Sequence, residues 1–317
     1  MTRPLISVCI VTYNHHAYIA DCLMSVLGQW GDFRLEIVVG DDASSDTTVA
    51  IVQAIAEQHP GIIRLFRHPQ NLGPSQNLHF TIAQAQGDFI AHLDGDDFWL
   101  PGKLQAQLTF LQTHPDCPAC YTNAMAVTHE KTAVGYFNPR LPERMDLAHL
   151  LQSGNFLNNS SMLYWAAYRA PLLAIADQLI DYRIHLTFAQ HGAIGFLNAV
   201  LTAYRTNSTA SQMTTMRSQV LRLYVDALLT MEPHTDSITF KAAIRAFYRV
   251  FFLNLHLNYD AATRTQVMTQ LQTHYPLRWP TVVFEILPFT VWSEFKGWLY
   301  KKTLGRQLRF LQRNGTY

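Results

Sequence analysis

The sequence predicts an α/β fold, a parallel β-sheet with helices on both faces, followed by an all-helical region. Three observations predict it. Short apolar, β-branched runs alternate with helical patterns from Leu5 to Val127, joined by short connections. The polar clusters stand at the carboxyl ends of those runs, where parallel sheets bind their ligands. After about Ser211 the alternation stops and only helical periodicity remains.

Leu5 to Val11 (LISVCIV) is a strand of the buried kind that ends at Thr12-Tyr13-Asn14, and a helix is expected from His15 to about Leu27. Arg34 to Gly40 (RLEIVVG) is the second strand. It stops at Asp41-Asp42, and a helix follows from about Thr47 to Gln58. Ile62 to Phe66 is the third, after which Asn71-Leu72-Gly73-Pro74 turns into a helix ending near Gly87. The fourth strand begins at Phe89 and stops at Asp94-Gly95-Asp96-Asp97, and Pro101 opens a helical pattern over Lys103 to Gln112. Ala119 to Val127 is a further strand. Thr128 to Glu143, with Gly135, Pro139 and Pro142, reads as a loop. Asn155 to Tyr164 (NFLNNSSMLY) is polar in its first half and apolar in its second, a turn leading into a strand. Asp181 starts a helix that ends at His191-Gly192, and Ile194 to Tyr204 is the last strand, followed by Arg205. Helices are then expected at Gln219 to Thr230, Ile238 to Asn258 and Asp260 to His274. The division predicted is 1–211 for the α/β domain and 212–317 for the helical region.

Bulk composition narrows the function. The 317 residues are 49% hydrophobic, enough for a sizeable core, and a net charge of +1 argues against a nucleic-acid partner. The best candidate for a bilayer span, Thr281 to Trp292, is short and broken by Glu285 and Pro288. The first strand starts too early to leave room for a signal peptide, and four cysteines, Cys9 and Cys22 within buried-type elements, fit a reducing cytoplasm. Cys117-Pro118-Ala119-Cys120 lacks the second ligand pair a structural zinc site wants.

Three carboxylates within four residues, Asp94, Asp96 and Asp97, repel one another. A hard cation such as Mg2+ or Mn2+ relieves that repulsion and keeps positions open for phosphate oxygens; a solvated acidic turn capping the next helix is the plainer reading. The first βα turn has no GxGxxG and the chain no GxxxxGK[ST], which disfavours a dinucleotide fold and a P-loop. A nucleotide whose phosphates are neutralised by metal remains.

Three ordered stretches, PLISVCIVTYNHHAYIADCLMSVLGQ, EIVVGDDASSDTT and NLGPSQNLHFTIAQAQGDFIAHLDGDDFWLPGKLQAQ, resemble the family 2 glycosyltransferases. The resemblance is close over residues 4–127 and looser to about 211. It implies the GT-A fold, a Rossmann-like, mostly parallel sheet, and inverting, metal-dependent transfer from a nucleoside diphosphate sugar, with a UDP-sugar the default donor. It implies a nucleoside site at Thr12, Tyr13, Asn14, Asp41 and Asp42, extended by Asn71, Gly73, Asn77, Asp94 and Gly95. Asp94-Gly95-Asp96 matches the family's DxD motif, so Asp94, Asp96 and Asp97 are the candidate ligands of Mn2+ or Mg2+, with Asp96 in direct contact. Asn159, Ser160 and Ser161 fall where the family lines its acceptor pocket.

Transfer also needs a base for the acceptor hydroxyl. Asp181 is the candidate, in a block that matches the family's late acidic motif in part, since Ile180 and Tyr182 replace its usual neighbours. Asp181 is equally placed as a helix cap. His185, one turn on, is the reserve and a candidate acceptor contact.

Near the C-terminus Lys302, Arg306, Arg309 and Arg313 share one helical face, with Trp292, Phe295 and Trp298 upstream. A membrane-surface anchor through residues 292–313 is expected, or a terminal helix docked on the domain. The acceptor would then be a saccharide or a lipid-linked one, in surface polysaccharide or glycan synthesis at the cytoplasmic face of the membrane. The rival reading is a catalytically silent nucleotide-sugar-binding or scaffold subunit, which need not keep the acidic triple or Asp181.

Overall fold

The computed structural model describes residues 3–176, 178–206, 217–253 and 259–276. The first half runs β1 (Leu5–Thr12), α1 (Ile19–Leu27), β2 (Arg34–Asp41), α2 (Thr48–Gln58), β3 (Ile63–Arg67), α3 (Pro74–Ala83), β4 (Phe89–Asp94). After it come β5 (Phe98–Trp99), α4 (Lys103–Thr113), β6 (Ala119–Val127), β7 (Ala133–Tyr136), β8 (Arg144–Met145) and α5 (Leu147–Ser153). A 3-10 turn at Asn159–Ser161 leads to β9 (Leu163–Trp165), then α6 (Arg169–Leu173), α7 (Asp181–Ala189) and β10 (Ile194–Arg205). Three helices follow, α8 (Arg217–Leu229), α9 (Ser237–Leu253) and α10 (Ala261–His274).

The strands form one sheet in the order β3-β2-β1-β4-β9-β6-β10-β5, with β7 on β6 and β8 on β10. The β3-β2-β1-β4 half is parallel, as is β6 with β10. The sheet is mixed, however: β9 runs antiparallel between β4 and β6, and β5, β7 and β8 pair antiparallel. The stretch read as a loop from Thr128 contains β7, because five residues after β6 suffice for a hairpin and not for a crossover.

Alternation along the strands sends side chains to two cores. On one face Val8, Ile10, Ile37, Val39 and Leu93 meet Ile19, Leu23, Leu104 and Leu108. On the other, Cys9, Ile90, Tyr121 and Tyr164 meet α3 and the later helices. Leu221, Val225, Leu228, Ile244, Tyr248 and Leu271 of α8, α9 and α10 are buried in that second core, continuous with the sheet.

The first helix begins at Ile19, four residues later than expected. Asn14 takes a left-handed φ of 55° with its N–H on Ser44 Oγ, and the chain then makes a turn in which the Tyr18 and Ile19 N–H groups both donate to His15 O before the helix begins. The third helix ends at Ala83, because Gly87 must pass against the backbone of β1, where a Cβ would sit 2.7 Å from Leu5 O. Among the described residues no helix is long and apolar enough to cross a membrane. The basic face at Lys302 to Arg313 and its upstream aromatics lie outside the described residues.

Candidate active site

Strand register builds one edge of the site directly. Thr12 pairs with Asp41 across β1 and β2, and Val11 pairs with Asp94 across β1 and β4, so the ends of three parallel strands present Asp41, Thr12 and Asp94 in a row. Glycine is required beside them. A Cβ on Gly95 would lie 2.8 Å from His15 Nδ1 and 2.9 Å from Thr12 Oγ1.

At the nucleoside end, Asp41 is fully buried, and its Oδ1 accepts from the Ser44 N–H at 3.0 Å. Its Oδ2, like the buried Thr12 Oγ1 and His15 Nδ1, has no partner among the described residues. Buried polar atoms are normally paired, so Asp41 Oδ2 and Thr12 Oγ1 at the strand ends are groups that a bound molecule could satisfy. Asp42 is used differently: its two oxygens accept from the Leu72 N–H at 2.7 Å and the Gly73 N–H at 3.0 Å, and Asn71 donates to its carbonyl at 3.2 Å. That pulls the Asn71-Gly73 turn onto the end of β2. Asn14 ties the first two turns together, its N–H donating to Ser44 Oγ at 2.9 Å and its Oδ1 accepting from the Ser45 N–H at 2.9 Å. Asn77 is buried beneath, donating to Gly40 O at 2.8 Å and accepting from His68 Nε2 at 3.0 Å. Tyr13 is exposed.

The acidic loop separates its three carboxylates. Asp94 Oδ1 lies 3.0 Å from His92 Nε2 and its Oδ2 accepts from Ser160 Oγ at 3.2 Å, yet the side chain stays 42% exposed. Burial of part of the carboxyl works to raise its pKa, but His92 and Ser160 prevail and hold it below the ordinary value. Asp97 turns inward. It is 1% exposed, and its Oδ1 accepts the Arg205 N–H at 2.8 Å. Burial, then the charges of Asp96 and Asp94, push its carboxyl well up. Asp96 is half-buried, and its carbonyl accepts from Arg205 Nε at 2.7 Å.

Across the sheet, the turn expected to line an acceptor pocket is buried. Ser160 serves Asp94, and Ser161 Oγ donates to Asn158 O at 2.7 Å and accepts the Thr122 N–H at 3.3 Å, so its hydroxyl is committed to the turn and to β6. Asn159 retains an Oδ1 without a partner among the described residues. Asp181 opens α7 as expected and is exposed at its surface. Crowding by surrounding protein, and then the negative charge of Asp94, raise its carboxyl to about 6, with His92 opposing. Asp181 and the acidic loop therefore share one electrostatic neighbourhood, which also reaches Tyr204. His185 is 1% exposed, packed edge-on against Tyr121 at 5.0 Å, and burial drives its imidazole down to about 3. The fold does not bring it to the surface of the site.

Sequence reasoning missed His15, His92 and Arg205 as parts of the site. Arg205 is the most connected: besides the acidic loop it meets Asp21 at 2.8 Å and His129 O at 3.3 Å, and stacks 4.9 Å from Tyr18 and 5.1 Å from Phe98. A single arginine ending a strand was the only signal. Among the described residues no three His, Cys, Asp or Glu side chains form a ready-made ion site. The oxygen donors present at Asp94 and Asp96 nonetheless suit a hard divalent cation whose remaining positions are filled by a ligand.

Comparison with known proteins completes the assignment. The profile of glycosyl transferase family 2 matches residues 7–167, half of the chain. An uncharacterised Mycobacterium tuberculosis protein is 29% identical over 201 residues, 63% of this chain and 58% of that one, so the match spans less than two thirds of the relative's length. Among solved structures, S. aureus TarS 1–349 in complex with UDP-GlcNAc aligns with a TM-score of 0.61 at 17% identity, over 98% of this chain and 89% of that one. The mannosyltransferase PcManGT of Pyrobaculum calidifontis, in complex with GDP-Man and Mn2+, aligns with a TM-score of 0.59 at 17% identity, over 99% and 85%. At such identity these likenesses carry the fold, which is GT-A. With its profile match, its mixed sheet and the order of its strand-end motifs, the chain belongs to glycosyl transferase family 2.

Proposed function

We propose that this chain moves a sugar from a nucleoside diphosphate donor to a hydroxyl of a saccharide or lipid-linked acceptor, with inversion at the anomeric carbon. The observation that carries the reading is a convergence at one sheet edge. Strand register sets a buried carboxylate with a bare oxygen, Asp41, beside the acidic loop, and the charge of that loop's Asp94 helps raise Asp181 to about 6. Family membership supports it, as do structural neighbours bound to UDP-GlcNAc and to GDP-Man with Mn2+.

Each residue then has a task. Asp41 Oδ2 and Thr12 Oγ1 meet the nucleoside, a base N–H or ribose hydroxyl satisfying the bare carboxylate oxygen. Asp42 shapes the turn at Asn71 and Gly73 around it, and Asn77 braces the strand end from below. Asp94 and Asp96 would hold Mg2+ or Mn2+, while Asp97 keeps the loop folded inward. When bound, the cation acts as a Lewis acid that stabilises negative charge on the departing diphosphate. Asp181 takes the acceptor's proton while the hydroxyl oxygen bonds to the anomeric carbon and the diphosphate leaves with the electrons of the broken bond. A carboxyl near 6 is mostly ionised at neutral pH and more basic than an ordinary aspartate, as a general base should be. A UDP-sugar is the default donor, and a lipid-linked acceptor would place the reaction at the cytoplasmic face of a membrane.

A thermal-shift panel of UDP, dTDP, GDP and CDP sugars with Mn2+, Mg2+ or EDTA tests the reading. A ligand at about 100 times its Kd stabilises the native state by about 2.7 kcal/mol. One nucleotide should raise Tm by several degrees, and EDTA or Asp96→Ala should abolish the shift. If no sugar nucleotide shifts the parent protein, the transferase reading gives way to a silent scaffold.

A further inference from the structure

We propose that His92 is a positioning residue for Asp94, fixing the carboxylate before donor and cation arrive. The inference rests on the transferase reading above and adds a residue that neither sequence spacing nor family resemblance assigned. His92 stands two residues before Asp94 on β4, so both side chains leave the same face of the strand. It is 1% exposed, and its Nε2 lies 3.0 Å from Asp94 Oδ1. A contact that short to a carboxylate oxygen requires the proton on Nε2, so the imidazole donates and the carboxylate accepts. The other ring nitrogen, Nδ1, is buried without a partner among the described residues. Among the described residues the ring's one hydrogen-bond partner is therefore Asp94.

The second oxygen of Asp94 is held as firmly. Ser160 Oγ donates to Oδ2 and accepts the Asp94 N–H, both at 3.2 Å. Ser160 is itself anchored, because its carbonyl accepts the Trp99 indole N–H at 2.7 Å, and Lys103 Nζ sits 3.9 Å over the Trp99 ring. Asp94 is thus gripped on both oxygens by buried groups while 42% of its side chain faces solvent. Such a carboxylate meets a cation with little rotamer entropy left to lose. Partners of this kind behind a metal-binding carboxylate are worth about 10–100-fold in metal affinity or activity.

Three variants test it, with binding as the readout. His92→Phe keeps the volume and removes the donor; His92→Gln keeps an N–H that reaches Asp94; His92→Asn keeps the amide but falls a methylene short. UDP binding is titrated by calorimetry against Mn2+, with kcat measured at saturating Mn2+. His92→Phe should raise the Mn2+ needed for half-maximal UDP binding by about 10–100-fold, and kcat should fall far less. Gln should recover most of the loss and Asn little. Should the Phe variant fail to fold, the Gln and Asn pair still decides: equal Mn2+ dependence in the two overturns the proposal, as does a folded Phe variant within twofold of the parent. A parent protein that binds no nucleotide in any metal overturns the transferase reading and this inference with it. A parent that binds normally beside an unaffected Phe variant overturns this inference alone.

Discussion

Asp181 stands where two effects oppose each other. The amino end of α7 favours a negative charge, while the protein around Asp181 and the charge of nearby Asp94 disfavour it, and the second influence wins, leaving the carboxyl near 6 although the side chain reaches the surface. The profile of kcat/KM against pH should show an acid limb with its midpoint near 6. Asp181→Asn should lower transfer by about 10²–10⁴-fold while sparing donor binding in the thermal-shift assay. Full transfer by that variant would remove Asp181 as the base. Linkage gives a second readout. The folded pKa lies above the unfolded value of about 3.9, so ionised Asp181 opposes folding at pH 7, and the opposition fades as pH falls from about 6 toward 4. Asp181→Asn should therefore raise Tm at pH 7 more than at pH 4. Asp181 was legible because helix starts have a sequence signature. Ser160 was legible only as a polar residue near the site; its bond to Asp94 spans 66 positions along the chain, which no local pattern encodes.

At the scale of elements, the acidic loop is held by a strand that lies far away in sequence. Arg205, the last residue of β10, donates its N–H to Asp97 and its Nε to the Asp96 carbonyl, and pairs with Asp21 on α1. Lys131 at the β6–β7 turn joins Asp21 from the other side at 2.7 Å. Arg205→Met removes the Nε and guanidinium contacts but keeps the backbone N–H to Asp97. Asp21 remains partly solvated and paired with Lys131, so the variant should lose about 1.5–3 kcal/mol of stability rather than unfold. Urea denaturation measures that loss. Metal-dependent nucleotide binding should weaken too, since the Asp96 carbonyl is released. The start of α1 teaches the same lesson in reverse. Periodicity placed the helix at His15, but Asn14 was drawn into bonds with Ser44 and Ser45, and the intervening turn followed.

For the whole molecule, the decisive feature is the second core. Leu228 and Leu271 of the helical region are buried at 1% and 0% exposure among side chains that also pack on the sheet. Burial in a common core couples the two regions, so the boundary expected near residue 211 need not be a boundary in stability. Leu271→Ala should cost about 2–5 kcal/mol and shift a single calorimetric transition that includes loss of nucleotide binding. Two transitions, with only the first moved and binding retained through it, would mean that the helices melt as a unit of their own.

By itself the sequence determined the alternation of strands and helices, the placement of polar clusters at strand ends and the family. These are encoded in spacings of two to four residues and in motifs read along the chain. The tertiary structure alone decided that the sheet is mixed, that Asp97 faces inward while Asp94 faces out, and that His185 is core. It also decided that His92, Ser160 and Arg205 hold the acidic loop. The physical reason is range: the bond from Arg205 to Asp97 spans 108 residues, and its existence depends on the register of strands whose partners local periodicity does not specify.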